Sequence, residues 1–125
     1  MFKHLEKISC EKSILLIAFK GWSDAAEAAT SAVDTIVNHY NSHKFASFEE
    51  EEFFAFARER PNIKNSKNGR VIEWPNNDLY YIDNAIENTP LIILNGTEPH
   101  FKWKTFSNEV INLCRSMNVF SIVTL

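Results

Sequence analysis

Ile14-Leu15-Leu16-Ile17-Ala18-Phe19 runs without a polar break into Lys20-Gly21-Trp22-Ser23-Asp24. An uninterrupted apolar run closed by a turn reads as a β-strand covered on both faces. The turn then opens a helix. Asp24 is a good N-cap, and Glu27 stands three residues on, in the capping-box position. Ala29, Ala32, Val33, Ile36, Val37 and Tyr40 follow at helical spacing. The same grammar returns near the end of the chain. Pro90-Leu91-Ile92-Ile93-Leu94 leads into Asn95-Gly96-Thr97-Glu98-Pro99, and Pro99 suits the first turn of a helix. Trp103, Phe106, Val110, Leu113 and Met117 then step by three or four, with Ile111 and Cys114 widening the stripe. Two strand-turn-helix units predict an open α/β sheet. Both loops then fall at the carboxyl ends of strands, the edge where such folds place binding sites.

Working outward, residues 1–13 are a polar lead-in from which Leu5 and Ile8 pack down. His43–Phe48 reads as a short strand, completing a β-α-β unit with a right-handed crossover. Glu49-Glu50-Glu51-Glu52 suits either a helix N-terminus or a solvated turn, the latter being the commoner use of such a run. Residues 53–60 fit a helix by composition and a strand by the alternation of Phe54, Phe56, Arg58 and Arg60. Asn68-Gly69 is a turn signal, and Arg70-Val71-Ile72-Glu73-Trp74-Pro75 reads as a returning strand. Together they predict a β-hairpin across residues 56–74, at a sheet edge or projecting from the domain. Leu79–Ile82 is a further short strand, and Val119–Leu125 a last apolar one. The chain stops inside that strand, which reads as a truncated domain unless the strand lies at an edge.

Composition narrows the function classes. The chain has 125 residues, a net charge of −3 and an aromatic fraction of 13%, enough for a single aromatic-rich core. The acidic balance and the lack of a basic patch argue against nucleic acid as a partner. Three glycines are too few for a Gly-rich phosphate cradle, so no nucleotide cofactor is expected. The first residues lack a signal peptide's apolar segment, and the longest apolar run is far too short to span a bilayer. No membrane association is expected, and a cytoplasmic location is the default. Cys10 and Cys114 are expected to be free thiols, and no metal site follows from their spacing or from the scattered His4, His39, His43 and His100.

Three ordered motifs carry a resemblance. The segment from Ile17 to Ala29, with Gly21-Trp22-Ser23-Asp24-Ala25-Ala26 at its centre, resembles the opening of the proteasome assembly chaperone 2 family. Arg60-Pro61 followed by Arg70-Val71-Ile72-Glu73-Trp74-Pro75 is similar to that family's R-P and R-x-I-x-W-P segment. Gly96-Thr97-Glu98-Pro99 with Trp103 is similar to its G-x-E-P-x-x-x-W segment. Lys20 departs from the small residue or Pro that many relatives place before the Gly-Trp. The resemblance covers nearly all of this chain but only the front part of the family domain. It implies a three-layer α/β/α sandwich around a mixed, largely parallel sheet of the phosphorylase/hydrolase-like kind. It also implies homo-oligomers, or paired assemblies with a protein partner. Eukaryotic members help assemble proteasome α-rings, whereas many bacterial ones have no established activity.

Two groups of residues are candidates for function. In the strand-end crevice, Gly21, Trp22, Ser23, Asp24, Gly96 and Glu98 could meet a ligand, with Asp24 and Glu98 as paired carboxylates. Helix capping by Asp24 and a dipole-favoured Glu98 explain the same residues without function. Ser23 sits where a hydrolase nucleophile sits, but Ala25 replaces the second Gly of a nucleophile elbow. On the hairpin, Arg60, Glu73 and Trp74, with Trp103, are candidate interface residues, because Trp and Arg dominate binding hot spots. A buried Arg60–Glu73 ion pair is the structural alternative. The leading expectation is a non-catalytic, self-associating interaction module of the assembly-chaperone type. The alternative is a small-molecule binder or carboxylate–amine ligase-like enzyme using Asp24 and Glu98.

Overall fold

A continuous apolar run in a strand needs a cover above and below, and Ile14–Phe19 within β2 (Ser13–Lys20) has both. Leu15 and Ile17 point into a cluster with Phe106, Val110, Leu113 and Met117 of α2 (Trp103–Ser116). Leu16 and Ala18 point the other way, onto Val33 of α1 (Ala28–His39). The alternation of a strand thus converts one continuous apolar run into two separate cores. The result is a three-layer α/β/α arrangement. The computed structural model describes residues 2–21, 25–48 and 51–125.

The remaining strands are β1 (Lys3–His4), β3 (His43–Phe48), β4 (Asn62–Ser66), β5 (Gly69–Glu73), β6 (Asn77–Ile86), β7 (Thr89–Thr97) and β8 (Val119–Thr124). With β2, five of them form one six-stranded sheet in the order β1-β3-β6-β7-β2-β8, while β4 and β5 pair with each other. β2 is parallel to both β7 and β8, whereas β6 is antiparallel to β7 and to β3. β3 therefore runs with β2, β7 and β8, and the sheet is mixed but largely parallel in strand direction. Among the described residues, no helix is long and apolar enough to cross a membrane.

The structure corrects several sequence expectations. β3 is present and runs with β2, but β6 and β7 lie between them, so the β-α-β unit does not join neighbouring strands. The lead-in contains β1, two polar residues held to β3 by backbone pairing. Ile8 packs against the core, and Leu5 is exposed. α1 begins at Ala28, after a 3-10 turn over Ala25–Glu27, and its N-cap position is Glu27 in a left-handed conformation (φ 59°). Ala32 and Tyr40 face outward rather than onto the sheet. Residues 53–60 are neither helix nor strand beyond a 3-10 turn at Glu51–Phe53. Tertiary bonds hold that segment: the Phe53 carbonyl accepts from the backbone N–H groups of His100 (2.8 Å) and Phe101 (3.2 Å). The hairpin is shorter than expected, with strands at Asn62–Ser66 and Gly69–Glu73. β6 is longer, starting at Asn77 and running through an irregularity between Ile82 and Ile86 to a tight return into β7. Pro99 lies in the connection before α2, whose first helical residue is Trp103. β8 lies at the sheet edge, with Phe120, Ile122 and Val123 exposed rather than buried.

Tyr81 of β6 gives this core a pH signature. Its ring lies at the edge of the larger core, and its hydroxyl donates to Asp83 Oδ1 at 3.3 Å. Burial, reinforced by the Asp83 charge, pushes the phenol up to about 12. The folded state therefore holds this proton more tightly than the unfolded chain, whose tyrosine titrates near 10. That contribution is complete below pH ~10 and is lost as pH rises through about 12. Spectrophotometric titration of tyrosinate should show this late ionisation, and Tyr81→Phe should flatten the corresponding fall in stability.

Candidate functional site

β2 and β7 lie side by side in register, from Ile14↔Leu91 to Lys20↔Thr97, so their carboxyl ends form one ledge. The ledge opens into a cleft of about 790 Å³, within the size range of ligand sites. Lys20, Asn95, Gly96 and Thr97 come from the strand ends, and Glu27, Thr30, Ser31 and Asp34 from the start of α1 and the turn before it. The hairpin and its stems supply the opposite wall, with Phe56, Glu59, Arg60, Ile72, Glu73 and Trp74. Phe56 and Trp74 meet edge to face at 5.2 Å, which fixes the indole beside the opening.

A glycine is required on the ledge by close approach. An ideal Cβ on Gly96 would lie 2.5 Å from the Asn76 carbonyl oxygen and 2.6 Å from Asn77 Cα. Gly96 is also not in a loop, as the sequence suggests, but inside β7 opposite Asn77. Asn77 is fully buried and donates through Nδ2 to the Thr97 carbonyl at 3.1 Å, pinning the two strand ends together.

The cleft is dominated by carboxylates. Asp34 accepts from Asn95 Nδ2 at 2.8 Å, and Asp78 accepts from Asn76 Nδ2 at 3.2 Å. Lys44 Nζ reaches Asp78 at 3.0 Å. The nearby Tyr80 phenol is raised by burial first and by the Asp78 charge second. Glu73 pairs with Lys64 at 3.2 Å across the hairpin, not with Arg60. Both partners are exposed, so that pair adds little to stability. Among the described residues, Glu27, Asp34, Glu51 and Glu59 have no cationic partner, and of the cations lining the cleft Lys20 and Arg60 have no carboxylate partner. Among the described residues, no histidine or cysteine lines this cleft, and no group of His, Cys, Asp and Glu is placed to hold a metal ion. The unpaired carboxylates suit recognition of a positively charged group.

The structure redistributes the residues singled out from the sequence. Gly96 joins Arg60, Glu73 and Trp74 in the larger cleft, so part of the crevice and the hairpin candidates share one site. Gly21, Glu98 and Trp103 line a second hollow of about 500 Å³, which shares Lys20, Glu59 and Thr97 with the first. Glu98 lies against Gly21, where a Cβ would come within 2.7 Å of its Oε2, and its N–H donates to the Lys20 carbonyl at 3.1 Å. Trp22, Ser23 and Asp24 lie outside the described residues. Asp34, Glu59 and Asp78 are not singled out by the sequence, and Asn95 figures there only as the first residue of the second loop. They stand on different elements, and only the β2–β7 register and the return of the chain after β3 bring them together.

Residues 18–125 match the PAC2 family. A Mycobacterium tuberculosis proteasome-assembly chaperone homologue superposes with a TM-score of 0.80 at 23% identity, covering 89% of this chain and 48% of its own. A PAC2 family protein from Streptomyces avermitilis gives 0.76 at 26% identity, over 90% of this chain and 48% of its own. A Corynebacterium glutamicum protein of unknown function gives 0.82 at 25%, over 99% and 48% respectively. The chain thus spans about half the length of these solved structures. No curated protein matches it. With the family matched from the end of β2 to the last residue, the chain belongs to the PAC2 family.

Proposed function

We propose that this chain is a protein-interaction module of the assembly-chaperone kind, that it self-associates, and that the hairpin with Trp74 makes the contact. The observation that carries this reading is the β4–β5 ribbon. All ten of its strand residues are exposed, and among the described residues it pairs with no other strand. An isolated two-stranded ribbon is at best marginally stable in water. It nevertheless presents Ile63 and Ile72 as a cross-strand apolar pair, with Trp74 56% exposed at its base. Exposed aromatic and aliphatic side chains grouped on one projection are the composition of a binding surface. The M. tuberculosis relative's description as a proteasome-assembly chaperone homologue points to the same class of role.

Light scattering across a concentration range tests the reading, with a monodisperse oligomer as the expected result. Trp74→Ala should weaken association by about tenfold, as hot-spot tryptophans do, while leaving the circular dichroism spectrum unchanged. Wild-type association in that variant would remove the hairpin from the interface.

A further inference from the structure

The hairpin tip and the cleft carry opposite charge. Lys64, Lys67 and Arg70 stand within the ribbon, and residues 62–72 contain no acid. Lys64 is held by Glu73, whereas Lys67 and Arg70 are exposed, with no carboxylate on them among the described residues. Among the described residues, the cleft wall offers Glu27, Asp34, Glu51 and Glu59 with no cation on them, four carboxylates against the two unpaired cations Lys20 and Arg60. We propose that the hairpin tip of one copy of this chain docks in the acidic cleft of a second copy. This rests on the self-association reading and gives it a mode.

Geometry excludes the intramolecular version. Asn62, Ile72 and Glu73 at the base of the ribbon line the cleft, while the Lys67-Asn68 turn closes its far end. Four residue steps at the strand rise place the tip about 14 Å from that base. The paired strands hold tip and base apart, so the chain's own tip does not reach its cleft, whereas the tip of a second copy can. A second copy also supplies what the ribbon lacks. Ile63 and Ile72 are exposed on it, and the Phe56–Trp74 pair gives the receiving cleft an apolar rim. Trp74 can also receive Lys67 or Arg70 against its ring face. Reciprocal exchange of two tips and two clefts closes a symmetric dimer.

Charge reversal tests the contact directly. Lys67→Glu/Arg70→Glu places an acidic tip opposite an acidic cleft, and Glu51→Lys/Glu59→Lys places a basic cleft opposite a basic tip. By sedimentation at low salt, each double variant alone should associate about tenfold more weakly than wild type, or worse. Mixed one to one, the two should recover hetero-association to within about threefold of wild type, because both contacts are again complementary. Lys67→Ala/Arg70→Ala, which adds no repulsion, should weaken association as well, and circular dichroism verifies folding in every variant. Reversals that associate as wild type, or a mixture no tighter than its components, overturn the tip-in-cleft contact while leaving self-association standing. A wild-type chain that stays monomeric throughout overturns both.

Discussion

Gly96→Ala should lower the unfolding free energy by about 3 kcal/mol, at the upper end of the cost of overpacking a well-filled site. For a chain of this size that is a fall in melting temperature of about 10 °C. The cause is not backbone angle, since only Gly21 and Gly69 of the glycines adopt positive φ. It is the approach of β6. A methyl group on Gly96 would meet Asn77 Oδ1, the Asn76 carbonyl at 2.5 Å and Asn77 Cα at 2.6 Å. Two of these three obstacles are backbone, and a backbone inside a ladder cannot step aside as a side chain can. The Thr97 N–H donates to that same Asn76 carbonyl at 3.0 Å, and Asn77 Nδ2 holds the Thr97 carbonyl, so any shift breaks these bonds too. Because this corner is also the floor of the cleft, the variant should lose association along with stability. Gly69→Ala is the comparison. It has open space where the Cβ would go, and its cost is confined to its positive φ of 107°. Urea unfolding of the two variants separates crowding from backbone strain.

The glycine also shows what a sequence can and cannot carry. Continuous apolar runs declared β2 and β7, and helical spacing declared α1 and α2, because burial on a fixed face leaves a periodic trace. β1 left no such trace: Lys3 and His4 are both exposed and are held by backbone bonds to Ser47 and Ala46 of β3. Residues 53–60 were ambiguous for a related reason. Their Phe side chains satisfy helix and strand patterns alike. The outcome was decided by bonds to a segment over 40 positions away, including the Ala55 N–H donating to His100 Nδ1 at 3.0 Å. The cleft was legible only in pieces. The strand-end position of Gly96 and the hairpin position of Trp74 were each readable, but their meeting depends on how the chain returns after β3. Asp34 and Asn95, 61 positions apart, meet through a side-chain hydrogen bond that no local pattern encodes.

Phe48→Ala should be the most damaging of the aromatic truncations, costing about 4 kcal/mol. Phe48 is fully buried at the carboxyl end of β3, and its ring contacts come from three directions. Phe53 meets it edge to face at 4.7 Å, Phe106 of α2 at 5.2 Å, and Phe2 ahead of β1 at 5.1 Å. Removing the ring leaves a cavity whose walls belong to separate elements, so no single side chain can collapse into it. Phe48→Leu keeps most of the volume and should cost under about 1.5 kcal/mol. Phe120→Ala removes the same atoms from β8, where the side chain is 64% exposed, and should stay within about 0.5 kcal/mol of wild type. Denaturant midpoints at unchanged m-value rank the three variants. A small loss for Phe48→Ala would mean that the Phe2, Phe53 and Phe106 rings repack without it. The segment leading from β3 to the hairpin would then be held by its bonds to His100 and Phe101 alone. A large loss ties that segment, and with it the hairpin wall of the cleft, to the packing of α2 on the sheet.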